Sequence, residues 1–271
     1  MDSSKARPVS VLLVYPNTTP VALSNLGFQQ VYTLLNRIEG VTCDRYSLPE
    51  DWTPSAKPGD LRSNDFGRLP GEFDIIAFSI SFEPDYLQTV ALLGYFNIPL
   101  ERRARSKEHP LIMAGGSAVF INPEPLAEIC DLLCIGEAEA LVEKLFGLYV
   151  HNDWSHPRDL IIQASGIPGV YAPEFYHPEY RDGRQIGLRA DPSVPSRVLR
   201  HFPVVEGGAS RGRAMEAPDL CTHSAIHDGA SMFGDMALME VTRGTCSSTP
   251  LESRESTRRS FTIRNTGADD R

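Results

Sequence analysis

Between Pro8 and Val150 short apolar runs alternate with stretches of helical apolar spacing. That alternation restricts the chain to an open α/β sheet built from parallel strands and crossover helices. Val9 to Tyr15 reads as the first strand. Ser24 to Ile38 follows as a helix, with Leu26, Val31, Leu34, Leu35 and Ile38 on one side and Ser24 as its amino-terminal cap. Val41 to Leu48 is the second strand and Asp74 to Ser79 the third, separated by a polar, proline-bearing loop from Pro49 to Pro70. A helix over Asp85 to Tyr95, a strand over Leu111 to Ala114 and a short helix over Pro123 to Ile129 come next. Asp131 to Ile135 then forms a fifth strand, and Glu137 to Tyr149 a last helix. The expected fold is a doubly wound, Rossmann- or flavodoxin-like sheet of five parallel strands. Its ligand crevice falls at the carboxyl ends of the strands, where the strand order reverses.

This sheet domain is expected to occupy residues 1–150, followed by a linker with little regular structure over 151–236. Within the linker, Asp159 to Ala164 suits a helix, Gly166 to Pro173 is turn-rich, and Arg184 to Arg189 suits one strand of a hairpin. A formal charge of −9 argues against nucleic acid as a partner. The apolar runs are far shorter than the roughly 20 residues a membrane helix needs. Five cysteines, an odd number, and no apolar leader at the start of the sequence make a reducing cytoplasm the expected compartment.

Chemistry is expected in the loops at the strands' carboxyl ends. The loop after strand one carries Asn17, Ser24 and Asn25, grouping amides and hydroxyls at a helix start. Ser79 and Ser81 follow strand three, Gly115 and Gly116 strand four, and Gly136 and Glu137 strand five. Bare glycine backbone lets a large planar ligand lie close, and the serines can bond its edge. Each of these residues also has an ordinary structural use as a turn former or cap, and Glu137 and Glu139 suit the positive end of a helix dipole. The pair Cys130 and Cys134 has the first spacing of an iron–sulfur motif, but the next ligand position is Glu137, so both read as small apolar fillers. Cys221, His223 and His227 lack a fourth ligand for a structural zinc site.

Taken in order, several segments resemble cobalamin-binding-domain radical S-adenosylmethionine (radical SAM) proteins. They are Ser24-Asn25-Leu26-Gly27-Phe28-Gln29, Ala114-Gly115-Gly116-Ser117 with Pro123-Glu124-Pro125, Asp131, Gly136-Glu137-Ala138-Glu139, and Gly234 to Gly244. The resemblance implies a cobalamin-binding amino-terminal domain with Asn17, Ser24, Asn25, Ser79, Ser81, Gly115, Gly116, Gly136 and Glu137 around the cofactor. It also implies a catalytic barrel that binds a [4Fe-4S] cluster and S-adenosylmethionine, with methyl transfer as one class of reaction. Two departures stand out. No Asp-x-His-x-x-Gly follows strand one, so no histidine from that position reaches the lower face of cobalt. The run Met239 to Cys246 begins like a C-x3-C-x2-C cluster motif, yet no cysteine follows Cys246.

Residues 237–271 therefore read as the remnant of a first barrel strand with an aberrant tail, Cys246 being a vestigial ligand, and a change of reading frame would explain the shift in composition. Gly207 to Arg271 is expected to pack weakly, because a single barrel strand has no hydrogen-bonding neighbours. The expected function is a cobalamin-binding-type domain that is not catalytic alone and is served by a separate radical SAM barrel. The alternatives are a cofactor-free interaction module and a flavin-binding flavodoxin-like domain. The residues argue against a signalling receiver, since Asn17, Ser79 and Gly136 stand where its acidic and lysine residues belong.

Overall fold

The computed structural model describes residues 8–53, 60–152, 154 and 157–199. Its centre is an open sheet of six strands: β1 (Val9–Thr18), β2 (Val41–Leu48), β3 (Ile75–Ser79), β4 (Leu111–Gly115), β5 (Leu132–Cys134) and β6 (Val170–Tyr171). The spatial order is β2-β1-β3-β4-β5-β6, with the first five strands parallel and β6 antiparallel to β5. The sheet thus has one strand more than the five expected. Val170–Tyr171 is too short to show a period, and its flanking Gly169 and Pro173 mark it as turn rather than strand.

Burial explains why the central strands read so clearly. Every residue of β3, β4 and β5 is buried, as continuous apolar runs in a parallel sheet require when both faces are covered. Leu12, Leu13, Phe78, Ile112 and Leu133 sit at the heart of the core. Helices α1 (Thr19–Ser24) and α2 (Leu26–Arg37) follow β1, and α3 (Asp85–Tyr95) follows β3. Short α4 (Ser117–Ile121) follows β4, and α5 (Ala138–His151) follows β5. α2 packs beside α5 on one face. The β1-to-β2 and β3-to-β4 crossovers run in opposite directions across the sheet, so right-handed connections place α3 on the other face.

Where one helix was expected from Ser24, there are two. Asn25 lies in the extended region (φ −85°, ψ 108°) between α1 and α2, and its side-chain oxygen accepts the Phe28 N–H at 2.8 Å. Ser24 is not the cap: its hydroxyl donates back to the Val21 carbonyl. Both residue types make good caps, so only the backbone bend decides which one acts. Asn25→Ala is expected to cost about 1–2 kcal/mol, the upper part of the capping range, because a second bond to Ser81 is lost with the cap. Urea unfolding of the variant measures this, and a loss within 0.3 kcal/mol of zero, on the order of a surface substitution, would contradict it.

Regular structure continues past residue 150, where a linker was expected. α6 (Pro157–Ser165) precedes β6, and a hairpin of β7 (Tyr176–Arg181) and β8 (Arg184–Ala190) follows it. The expected strand at Arg184 to Arg189 is the second arm of this hairpin. Its turn uses positive φ at both Asp182 (50°) and Gly183 (74°), the hairpin-favoured geometry of an Asp-Gly pair. Tyr176 hydrogen-bonds the Pro195 carbonyl at 2.7 Å and holds the segment after the hairpin against the core. No helix among the described residues is long and apolar enough to cross a membrane. The expectations for residues 200–271, including Cys221, His223, His227 and the Cys246 motif, lie outside the described residues.

Candidate functional site

The strand order reverses at β1, which is followed in sequence by β2 on one side and in space by β3 on the other. The loops leaving β1 and β3 therefore diverge and open a crevice between them. Four residues named from the sequence, Asn17, Asn25, Ser79 and Ser81, lie at this edge. Asn17 ends β1 and donates through Nδ2 to Asp85 Oδ1 at 3.0 Å, while its own oxygen accepts the Thr18 N–H. Asn25 donates to Ser81 Oγ at 3.1 Å and to the Tyr15 hydroxyl at 3.4 Å. Ser79 is buried at the end of β3, level with Gly115 of β4.

Other named residues fall elsewhere. Ser24 points to solvent. Gly136 and Glu137 follow β5, two strands from β3, which at about 4.8 Å per strand is roughly 10 Å from the reversal point. Gly136 holds φ 149° and Glu137 stands at the start of α5. Gly116, with φ 125°, has a packing role: a Cβ there would lie 1.9 Å from the Ile80 carbonyl oxygen. The β3 and β4 loops are laced together at this point. Ile80 N–H donates to the Gly115 carbonyl at 2.7 Å, and Ser117 Oγ donates to the Ser81 carbonyl at 2.9 Å.

Asp85 was legible in the sequence only as the start of a helix. It is 1% exposed, its Oδ2 has no hydrogen-bond partner, and burial pushes its pKa up to about 6 against the opposing pull of the Asn17 bond. The available signal was a carboxylate placed after an apolar strand at the reversal point. On the elements that leave this edge of the sheet Leu23, Leu26, Phe82, Leu87 and Ile121 are exposed, Leu87 by 75%. All five belong to loops or helices that begin at the strands' carboxyl ends.

The described cysteines do not offer an iron–sulfur site. Cys43, Cys130 and Cys134 are free and fully buried, and burial pushes the Cys134 thiol up to about 12, away from the thiolate that a cluster binds. Among the described residues no three of His, Cys, Asp and Glu converge as a metal site.

A cavity of about 640 Å³ opens at the opposite, amino-terminal edge of the sheet. Arg102 and Arg105 form part of its wall and are largely spent on structure. Arg102 donates to the Ala127 and Cys130 carbonyls. Arg105 donates to the carbonyls of Pro99, Leu100 and Ile129 and to Asp131. With Arg103, Lys107 and Arg158 the lining has five cations, matched by the five carboxylates of Glu72, Asp74, Glu108, Asp131 and Glu174, so no net charge selects a ligand there.

Residues 27–173 match the family model described as radical SAM proteins, N-terminal. The chain is also similar to phosphoribosylformylglycinamidine synthase subunit PurL from Caulobacter vibrioides, with 26% identity over 182 residues. That match takes in 65% of this chain, which spans only 23% of the length of PurL. No solved structure matches. The family match takes in the loop after β3, Arg102, Arg105 and β6, and begins after Asn17 and Asn25 of the β1 loop; on its extent over more than half of the sequence the chain belongs to the family of radical SAM proteins' N-terminal domains.

Proposed function

We propose that this chain is a cofactor-receiving module of a radical SAM protein, and that the crevice between the β1 and β3 loops takes a cobalamin-type cofactor. The observation that carries the reading is the convergence of Asn17, Asn25, Ser79, Ser81 and Asp85 at the point where strand order reverses. Amide and hydroxyl groups of this kind suit the carboxamide-fringed edge of a corrin. Gly115 borders the same place on β4, and Gly136 and Glu137 extend the reading along the sheet edge towards β5. When bound, the cofactor supplies a transferable methyl group. The protein's part is to hold the ligand edge and keep it oriented towards a second domain. The cluster and S-adenosylmethionine belong, in this reading, to a separate radical SAM barrel.

Titrating the purified full chain with hydroxocobalamin and following visible absorbance tests the proposal. Saturable binding near one equivalent, weakened by Asn17→Ala or Asn25→Ala, is expected. No saturable binding would sink the cobalamin assignment. Iron and sulfide analysis after anaerobic reconstitution should find no stoichiometric cluster, and a [4Fe-4S] cluster on this chain alone would contradict the division of labour.

A second reading is favoured by the exposed apolar residues Leu23, Leu26, Phe82, Leu87 and Ile121. Exposed apolar residues gathered around one edge mark an interaction surface. On that reading the module docks another domain without any cofactor, and the cobalamin titration separates the two.

A further inference from the structure

We infer that Asp85 is the acceptor of a subsite in the crevice that recognises a carboxamide N–H of the bound ligand. The inference rests on the cofactor reading above and sharpens it to one functional group.

The argument begins with how the other shielded carboxylates are treated. Asp44, fully buried, accepts the backbone N–H groups of Arg45, Asp65 and Phe66 at 2.7, 2.9 and 3.0 Å. Asp131 accepts the Ile112 N–H at 2.7 Å and the Arg105 guanidinium at 3.1 Å. Half-buried Asp74 takes both the N–H and the hydroxyl of Ser10 at 2.8 Å. The fold therefore has the means to satisfy carboxylates withdrawn from water. Asp85 is the fully buried one that it leaves unsatisfied; Glu139, at the start of α5, also has an Oε2 without a partner but is only half-buried. The Asp85 Oδ1 accepts from the neutral Asn17 amide, the Phe82 backbone N–H also favours the charged form of Asp85, and its Oδ2 has no hydrogen-bond partner. No ion pair reaches it among the described residues.

A buried acceptor without a donor opposes folding, and such groups persist where a function holds them in place. The missing partner must be a hydrogen-bond donor, and the site's other side chains select its type. The one hydrogen-bonded side-chain partner of Asp85, Asn17, is a neutral amide, and the corrin edge of the cofactor reading offers carboxamide N–H groups of the same kind. A neutral N–H donor of a carboxamide meets those conditions. Oδ2 lies under protein atoms, so the donor arrives by displacing part of the loop from Ser81 to Pro84, whose Phe82, Glu83 and Pro84 are exposed. Burial raises the Asp85 pKa to about 6, which leaves the group mostly ionised and a strong acceptor at neutral pH.

The test uses the full chain with Asp85→Asn, two cobalt corrins and thermal unfolding. Hydroxocobalamin carries carboxamide donors, while heptamethyl cobyrinate carries esters in their place and has none. The wild type should bind hydroxocobalamin at least about tenfold more tightly than the ester, the weight of one hydrogen bond to a charged acceptor. Asp85→Asn should lose most of that preference while its unfolding midpoint rises, because a buried unpaired charge has been removed. A lowered midpoint with the preference intact would show that Asp85 serves the fold alone and overturn the inference. Equal wild-type affinity for the two corrins would overturn it as well. Failure of the wild type to bind either corrin would instead bring down the cofactor reading, and the inference with it.

Discussion

Gly116→Ala is expected to cost about 3–5 kcal/mol and to leave little folded protein at 37 °C, since strain of about 1–3 and overpacking of about 1–3 kcal/mol act together. The new Cβ would meet the Ile80 carbonyl oxygen at 1.9 Å, its carbon at 2.5 Å and the Ile80 nitrogen at 2.7 Å. All three are backbone atoms of the β3 loop, so no side-chain rotation relieves the clash. The residue also holds φ 125°, a conformation that side chains oppose. Moving Ile80 away would break its N–H bond to Gly115 and the Ala118 N–H bond to its carbonyl. Urea unfolding followed by circular dichroism measures the loss. Gly94→Ala provides the contrast: a Cβ at that exposed position in α3 meets nothing within 4 Å. It should stabilise the domain by about 0.5–1 kcal/mol through helix propensity. Equal responses at the two glycines would refute the packing account of Gly116.

The second large effect is expected at Arg105→Ala, at about 3–5 kcal/mol, the usual consequence of leaving a buried charge without its partner. The Arg105 side chain is only 5% exposed, and its guanidinium ties the Pro99 and Leu100 carbonyls to Ile129 and Asp131. Removing it would strand the Pro99 and Leu100 carbonyls after α3 and the Ile129 carbonyl and Asp131 just before β5. Burial already pushes the Asp131 pKa up, with Arg105 opposing that rise, so the variant should take up a proton at Asp131 more readily than the wild type. A folded-state pKa raised further above its unfolded value gives a stability contribution that is complete in acid and fades as pH climbs through the folded value. The variant's deficit should therefore be smaller in mild acid than at pH 8. Adding Asp131→Asn should recover part of the loss at neutral pH, because no charge then remains unpaired. A single variant within about 1 kcal/mol of wild type would show the clamp to be dispensable.

Both effects depend on contacts between segments that lie far apart along the chain, and this sets the limit on what the residues reveal by themselves. The strands were legible because burial on both faces forces continuous apolar runs, as in Val9 to Val14 and Ile75 to Phe78. Helices α2, α3 and α5 were legible from the spacing of their apolar residues. Asn17, Asn25 and Ser81 could be placed together at one edge of the sheet because parallel sheets send their loops there. α4 escaped notice because five residues, Ser117–Ile121, hold too little period to read. Asp85 escaped for a different reason: an acidic residue in the first turn of a helix is ordinary, and only its burial and its missing partner set it apart.

Local pattern by itself determined the α/β class, the parallel order of the strand and helix units, and the edge at which ligands are expected, because each follows from periodicities of a few residues. Tertiary structure alone decided that β6 closes the sheet edge antiparallel to β5, that Gly116 makes room for Ile80, that Arg105 binds the carbonyls before β5, and that Asp85 lies buried beside Asn17. Each of these is a meeting of residues tens of positions apart, or a cost set by surrounding atoms, and neither leaves a mark on the spacing of side chains along one segment.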